Sequence, residues 1–214
     1  MKRFDNIEQG SIEWHQLRWA KIGGTLSKGL FVKSDTLLID ILSQRIEEFE
    51  PEEGFTSSAM DRGNDLEPFA REYLNNYTGL LFEKTGWIQS DENELLGISP
   101  DGLTTCNTIA CEIKCFGRKN HLSVLLSDDV PLDNINQILH YFTVNPLLQE
   151  LHWIAFRPES TKHFIKVFTL ETLVNIGTKA KPKMLTIEAA RDYSIEFANE
   201  LLAEILIKEE QLKF

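Results

Sequence analysis

At 214 residues, 42% apolar and 26% charged, the chain is long enough for one α/β domain with its own core and too apolar to be disordered. Its net charge of −11 argues, taken alone, against a nucleic-acid partner, because phosphate binding usually shows as a basic surface. No apolar run is long enough to span a bilayer, the N-terminus MKRFDNIEQG has no apolar secretory core, and three cysteines without paired spacing point to a reducing cytoplasm rather than a disulfide framework.

In chain order, residues 11–20 predict a helix, followed by a Gly-Gly turn in IGGTLSKG. Leu37, Leu38, Ile41, Leu42 and Ile46 recur at helical spacing and predict a helix over 35–49, broken by Glu-Pro-Glu-Glu-Gly. Residues 57–77 predict a second long helix with Leu66, Phe69, Ala70, Tyr73 and Leu74 on one side, and Pro68 inside it predicts a kink or a restart. Strands are expected over 80–89, 95–99 and 109–115, helices over 118–127 and 133–145, and strands again over 151–157 and 163–169. A helix over 186–211 ends the chain, apolar at Ile187, Ala190, Ile195, Ala198, Leu202, Ile205 and Leu206. That order predicts an α/β fold, a central mixed β-sheet flanked by α-helices, as a single domain over 1–214. The charge along it is uneven. Residues 1–33 carry six Lys and Arg against three Asp and Glu, and GRKNH (117–121) and KAKPK (179–183) are basic, so a local basic track is compatible with the acidic total.

The chemistry concentrates in GISPDGLTTCNTIACEIKC, residues 97–115. Strand residues two apart point the same way, so Glu112 and Lys114 share one face while Cys111, Ile113 and Cys115 take the other. Charges in such apolar surroundings must be paired or hold an ion. A buried Glu112–Lys114 ion pair would satisfy that alone. Asp101 adds a second carboxylate, at a turn between two predicted strands that can bring it beside Glu112. Two adjacent carboxylates repel unless a divalent cation lies between them, and oxygen ligands without His or Cys on that face favour Mg2+ or Mn2+. Glu67 lies close to the apolar side of its helix, where a solvated glutamate is the alternative. Gln137 and Tyr141, one helical turn apart, carry little weight by themselves.

The segment SPDG followed by CEIK resembles the PD-(D/E)xK nuclease signature, on Pro100-Asp101 and Glu112-Ile113-Lys114. Around it, EWHQLRWAKIGGT, RGNDLEPFA (with Gly63 and Glu67) and NQILHY resemble, in family order, blocks of the phage lambda-type exonucleases, the viral recombinase nucleases. The four blocks cover roughly residues 11–145. The resemblance implies a restriction-endonuclease-like PD-(D/E)xK core and a 5′→3′ exonuclease on linear double-stranded DNA that leaves 3′ single-stranded tails for recombination by strand annealing. It implies two metal ions per site, Mg2+ or Mn2+, with Asp101, Glu112 and the Ile113 carbonyl as ligands and Glu67 helping to hold the second. Lys114 would orient or deprotonate the attacking water or stabilise charge on the phosphate, and Gln137 would position the site, with Tyr141 in support. Arg18, Thr25 and Ser99 match a pocket for a terminal 5′-phosphate, and Met60 a wedge that helps part the terminal base pair. Partners implied are DNA ends, two further copies of the chain in a homotrimeric ring, and a single-strand annealing protein, in a bacterial or phage-infected cytoplasm.

Other readings stay open. An endonuclease on the same core would cut closed circles. A cluster-bearing relative would need four cysteine ligands, one more than this chain's three. A non-catalytic DNA-binding subunit usually lacks one of the signature residues, whereas Asp101, Glu112 and Lys114 are all present.

Overall fold

The computed structural model of the chain describes residues 1–51 and 58–212. The elements run β1 (Lys2–Phe4), α1 (Ile12–Arg18), α2 (Lys28–Val32), α3 (Asp35–Ile46), α4 (Ser58–Thr78), β2 (Trp87–Gln89), β3 (Gly97–Ile98), β4 (Gly102–Leu103) and β5 (Ile109–Cys115). They continue as α5 (Arg118–Ser127), α6 (Leu132–Val144), β6 (Glu150–Phe156), β7 (Phe164–Thr169), β8 (Leu173–Asn175), β9 (Met184–Thr186) and α7 (Ile187–Leu212). The main sheet has the order β4-β5-β6-β7 and is mixed: β5 and β6 are parallel, joined by a crossover through α5 and α6, and the outer pairs are antiparallel. A parallel pair needs such a crossover because no tight turn can reverse the chain twice.

Two elements position the site. β5 is the run Ile109–Cys115, a nearly continuous buried stretch of the kind a central strand requires. Its Cys111 and Ile113 pack with Ala70 and Leu74 of α4, Phe82, and Ile154 and Phe156 of β6. On the other side lies α6, buried from Ile138 through Val144, in the larger core with Leu30, Ile41 and Trp153. α6 is enclosed because α7 covers it: Thr143 and Ser194 share a hydroxyl bond at 2.8 Å.

The structure departs from the sequence-based expectations in several places. α4 runs through Pro68 without a restart. Proline removes one intrahelical bond, but Ala70 and Leu74 beyond it are fully buried against β5, and that packing holds the helix. The strand expected over 80–89 shrinks to Trp87–Gln89, with Glu83 only bridging Leu103. The sheet is not one piece: β1, β2 and β3 form a separate three-stranded sheet, and the chain passes from it to the main sheet across Ser99–Asp101.

His140 of α6 fastens this arrangement. It is fully buried, and its Nε2 lies 2.9 Å from the carbonyl oxygens of both Ile22 and Gly97. Two acceptors at one nitrogen fix the tautomer: Nε2 carries the hydrogen and donates to both. Burial pushes the pKa down from 6.5 to about 4. The folded value lies below the unfolded one, so the unfolded chain takes up its proton first as pH falls. The contribution is complete above about pH 6.5 and is lost as pH drops towards 4. From pH 7 to 4.5 the wild-type protein should lose about 2–3 kcal/mol through this group. In His140→Gln, whose amide donates without titrating, that share of the pH dependence should vanish. Urea unfolding at both pH values reads the difference, and equal pH dependence in the two proteins would refute the assignment.

Candidate active site

The site forms where the two sheets meet. Ser99-Pro100-Asp101 spans the gap between β3 and β4. The Ile113 backbone N–H donates to Asp101 Oδ2 at 2.7 Å, so β5 itself holds this carboxylate. Gly102 is required next to it, since a Cβ there would lie 2.7 Å from Cys111 Sγ and 2.9 Å from Phe82 Cβ.

Glu112, only 1% exposed, and Lys114 face away from the Cys111–Ile113 side, as strand alternation requires. Lys114 Nζ lies 2.5 Å from Glu112 Oε1 and donates to Gln137 Oε1 at 3.1 Å. Tyr141 donates its hydroxyl to Glu112 Oε2 at 2.6 Å and accepts from the Asp101 backbone N–H at 3.4 Å. Gln137 and Tyr141, weak as a sequence signal, therefore form one wall of the site. Only tertiary packing could have shown this, because any surface helix can carry such a pair.

The electrostatics are those of crowded acids. Burial raises the Asp101 carboxyl well above the usual carboxylate range, the charges of Glu112 and Glu67 add to that, and Lys114 and the Ile113 N–H offset only part of it. Burial also works against charge on Lys114, but Glu112 and Asp101 outweigh it and raise its pKa. The Tyr141 hydroxyl is pushed up by burial and by the same two acids, so it stays a donor.

A hard divalent cation fits Asp101 and Glu112. Both are oxygen donors, both raise the cost of charge nearby, and a cation between them would relieve it. Among the described residues no three His, Cys, Asp or Glu side chains converge on one point. Glu67 Oε1 instead accepts from Arg71 Nη1 at 2.8 Å, and the same nitrogen donates to the Asp101 backbone carbonyl. Nothing in the sequence singled out Arg71 beyond its place one turn after Glu67.

The residues matched to a phosphate pocket fall into two groups. Arg18 and Thr25 line one cavity of about 630 Å3, with His15, Lys21 and Gly23. Ser99 does not line it. Its hydroxyl accepts from Trp14 Nε1 at 2.8 Å, and the Trp14 ring carries the Arg18 guanidinium 3.8 Å from its centre. Trp14 is thus the link between Ser99 and Arg18. Burial lowers the Arg18 pKa to about 10, so the side chain is still charged at neutral pH. Gly24 brings this cavity next to the acids: a Cβ there would lie 3.1 Å from Gln137 Cγ, and Gln137 is the partner of Lys114. Met60 belongs to α4, and its side chain lies outside the described residues.

Residues 13–146 match the model of the YqaJ-like viral recombinase domain. Among solved structures, the chain is similar to an alkaline exonuclease from Laribacter hongkongensis (LHK-Exo), with a TM-score of 0.71 and 21% identity over 94% of this chain and 97% of that one. The structure of LHK-Exo in complex with dAMP aligns over the same shares, with a TM-score of 0.70 and 21% identity. These likenesses show a shared fold. No curated protein matches the chain.

Proposed function

The chain belongs to the YqaJ-like viral recombinase family, and from that footing we propose that it is a metal-dependent 5′→3′ exonuclease on linear double-stranded DNA. One observation carries this reading. Gln137 of α6 contacts both the Lys114 ammonium and the turn that walls the Arg18–Thr25 cavity. A strand end held in the cavity by its phosphate would run its next phosphodiester towards the acids and the lysine.

The residues divide the work. Arg18 meets a terminal phosphate with a planar fork of donors, already charged and desolvated, and Thr25 adds a hydroxyl in the same cavity. Mg2+ or Mn2+ at Asp101, Glu112 and the Ile113 carbonyl would supply an activated water and neutralise charge on the phosphate. Tyr141 holds Glu112 in place through its hydroxyl. Lys114 presents Nζ, steadied by Gln137, to the phosphate oxygens or to the attacking water. In-line attack forms a new P–O bond and breaks the bond to the 3′ oxygen, leaving a 5′-phosphate on the shortened strand. That new end is again a ligand for the Arg18 cavity, so each cut prepares the next. LHK-Exo has been solved with dAMP, and a mononucleotide is what such a cut releases.

The product would be a 3′ single-stranded tail, the substrate of a strand-annealing partner. A homotrimeric ring closed around the duplex would keep the enzyme on it, and would reconcile DNA binding with the net charge of −11 by confining basic contacts to a channel. No helix among the described residues is long and apolar enough to cross a membrane, which suits an enzyme acting on DNA in a bacterial or phage-infected cytoplasm.

The test is digestion of a linear duplex beside a closed circle of the same sequence, with Mg2+ or with EDTA. The reading expects loss of the linear form alone, and only with Mg2+. Cut circles would make the protein an endonuclease. Binding without hydrolysis under any divalent cation would make it a DNA-binding subunit.

A further inference from the structure

We propose that Arg71 occupies the place of a second cation in this site, so that the DNA-free protein takes up one divalent ion per chain, at Asp101 and Glu112, while Glu67 serves as the guanidinium's partner and not as a metal ligand. This rests on the metal-site reading above.

The acids approach Asp101 from opposite faces of β5. Glu112 and Lys114 lie on the side of α6, with Gln137 and Tyr141. α4 packs on the other side, through Ala70 and Leu74 against Cys111 and Ile113. Glu67 and Arg71 belong to α4, one turn apart, and reach Asp101 from there. Arg71 Nη1 donates to Glu67 Oε1 at 2.8 Å and to the Asp101 backbone carbonyl, so one nitrogen ties helix, acid and turn together. The pair is sheltered, with side chains 12% and 19% exposed for Arg71 and Glu67. Gly102 leaves the room: a Cβ there would come within 3.4 Å of Arg71 Cδ.

Guanidinium suits this place better than ammonium would. Its planar fork of donors lets one nitrogen, Nη1, serve a carboxylate and a carbonyl together in a fixed geometry. An ion bound through Glu67 would have to displace it from both oxygens or settle beside a permanent positive charge. Arg71 is a positioning residue here: it holds Glu67 and the Asp101 turn and supplies positive charge without being bound from solution.

Counting bound Mn2+ on DNA-free protein by electron paramagnetic resonance tests this apart from activity. Wild type should bind one ion per chain. Glu67→Gln should leave that count at one. Arg71→Gln frees the Glu67 carboxylate and should raise the count to two, and Glu67→Gln added to it should return it to one. Two ions on wild type, one of them lost in Glu67→Gln, would overturn the proposal. So would a count of one in folded Arg71→Gln. If Arg71→Gln fails to fold, wild type and Glu67→Gln still decide. Asp101→Asn separates this failure from the larger one: if it keeps wild-type Mn2+ binding, the metal-site reading itself falls.

Discussion

A Lys114→Met variant is expected to lose DNA hydrolysis by roughly 10^2- to 10^4-fold, the range of a group that stabilises developing charge or handles a proton in the transition state. Its Nζ has two partners, Glu112 Oε1 at 2.5 Å and Gln137 Oε1 at 3.1 Å, both on the face that carries the acids. Methionine keeps the length and the apolar stem, so packing changes little. The charge change matters twice. Catalysis loses its cation at the phosphate. The metal-free protein also loses stability, because Glu112 is 1% exposed and would keep its Tyr141 bond but no positive partner. Removing one member of a buried pair costs roughly 3–5 kcal/mol, and the partial exposure of Lys114 places this case at or below the lower end. Mg2+ should restore much of that stability in Lys114→Met, since a cation at Glu112 replaces the missing charge. Single-turnover cleavage and thermal melting with and without Mg2+ measure both parts. Near-normal cleavage by Lys114→Met would remove the lysine from the mechanism.

Arg18→Met should lose the preference for 5′-phosphorylated ends. Charge-assisted hydrogen bonds to a phosphate are worth about 1.5–3 kcal/mol, so the ratio of cleavage on phosphorylated to hydroxyl ends should fall by roughly 10- to 100-fold. Cleavage of hydroxyl-ended DNA should change little. The folded protein should be no less stable than wild type. Burial depresses the Arg18 pKa to about 10, which means the free protein bears a desolvated cation at a cost that methionine does not carry. Methionine can also lie on the Trp14 ring where the guanidinium now stacks at 3.8 Å. Loss of function with retained stability marks a binding residue. An equal drop on both kinds of end would show instead that Arg18 only supports the fold.

The core of this site was legible because its signal is local. Alternation along Cys111–Cys115 put Glu112 and Lys114 on one face, and the Pro-Asp-Gly turn put a second acid within reach. Helices α3 and α7 were likewise written in their apolar spacing. What escaped depends on distant parts of the chain. β1, β4, β8 and β9 are two or three residues long and exist only through their partners. Gly24 reads as a plain turn glycine until Gln137 arrives against it. Nothing in the local sequence around Trp14 shows that its ring lies between Ser99 and Arg18. Spacing shows which side of its helix Glu67 takes, but not that the Arg71 guanidinium meets it there.

The central claim is that Asp101, Glu112 and Lys114 cut the strand whose 5′-phosphate sits with Arg18. A duplex labelled differently on its two strands, carrying a 5′-phosphate at one end and a 5′-hydroxyl at the other, tests it directly. With Mg2+, the phosphorylated strand should shorten from its 5′ end, its partner should survive as a 3′ tail, and Asp101→Asn should do neither. Shortening from 3′ ends, or equal loss of both strands at the phosphorylated end, would contradict the account.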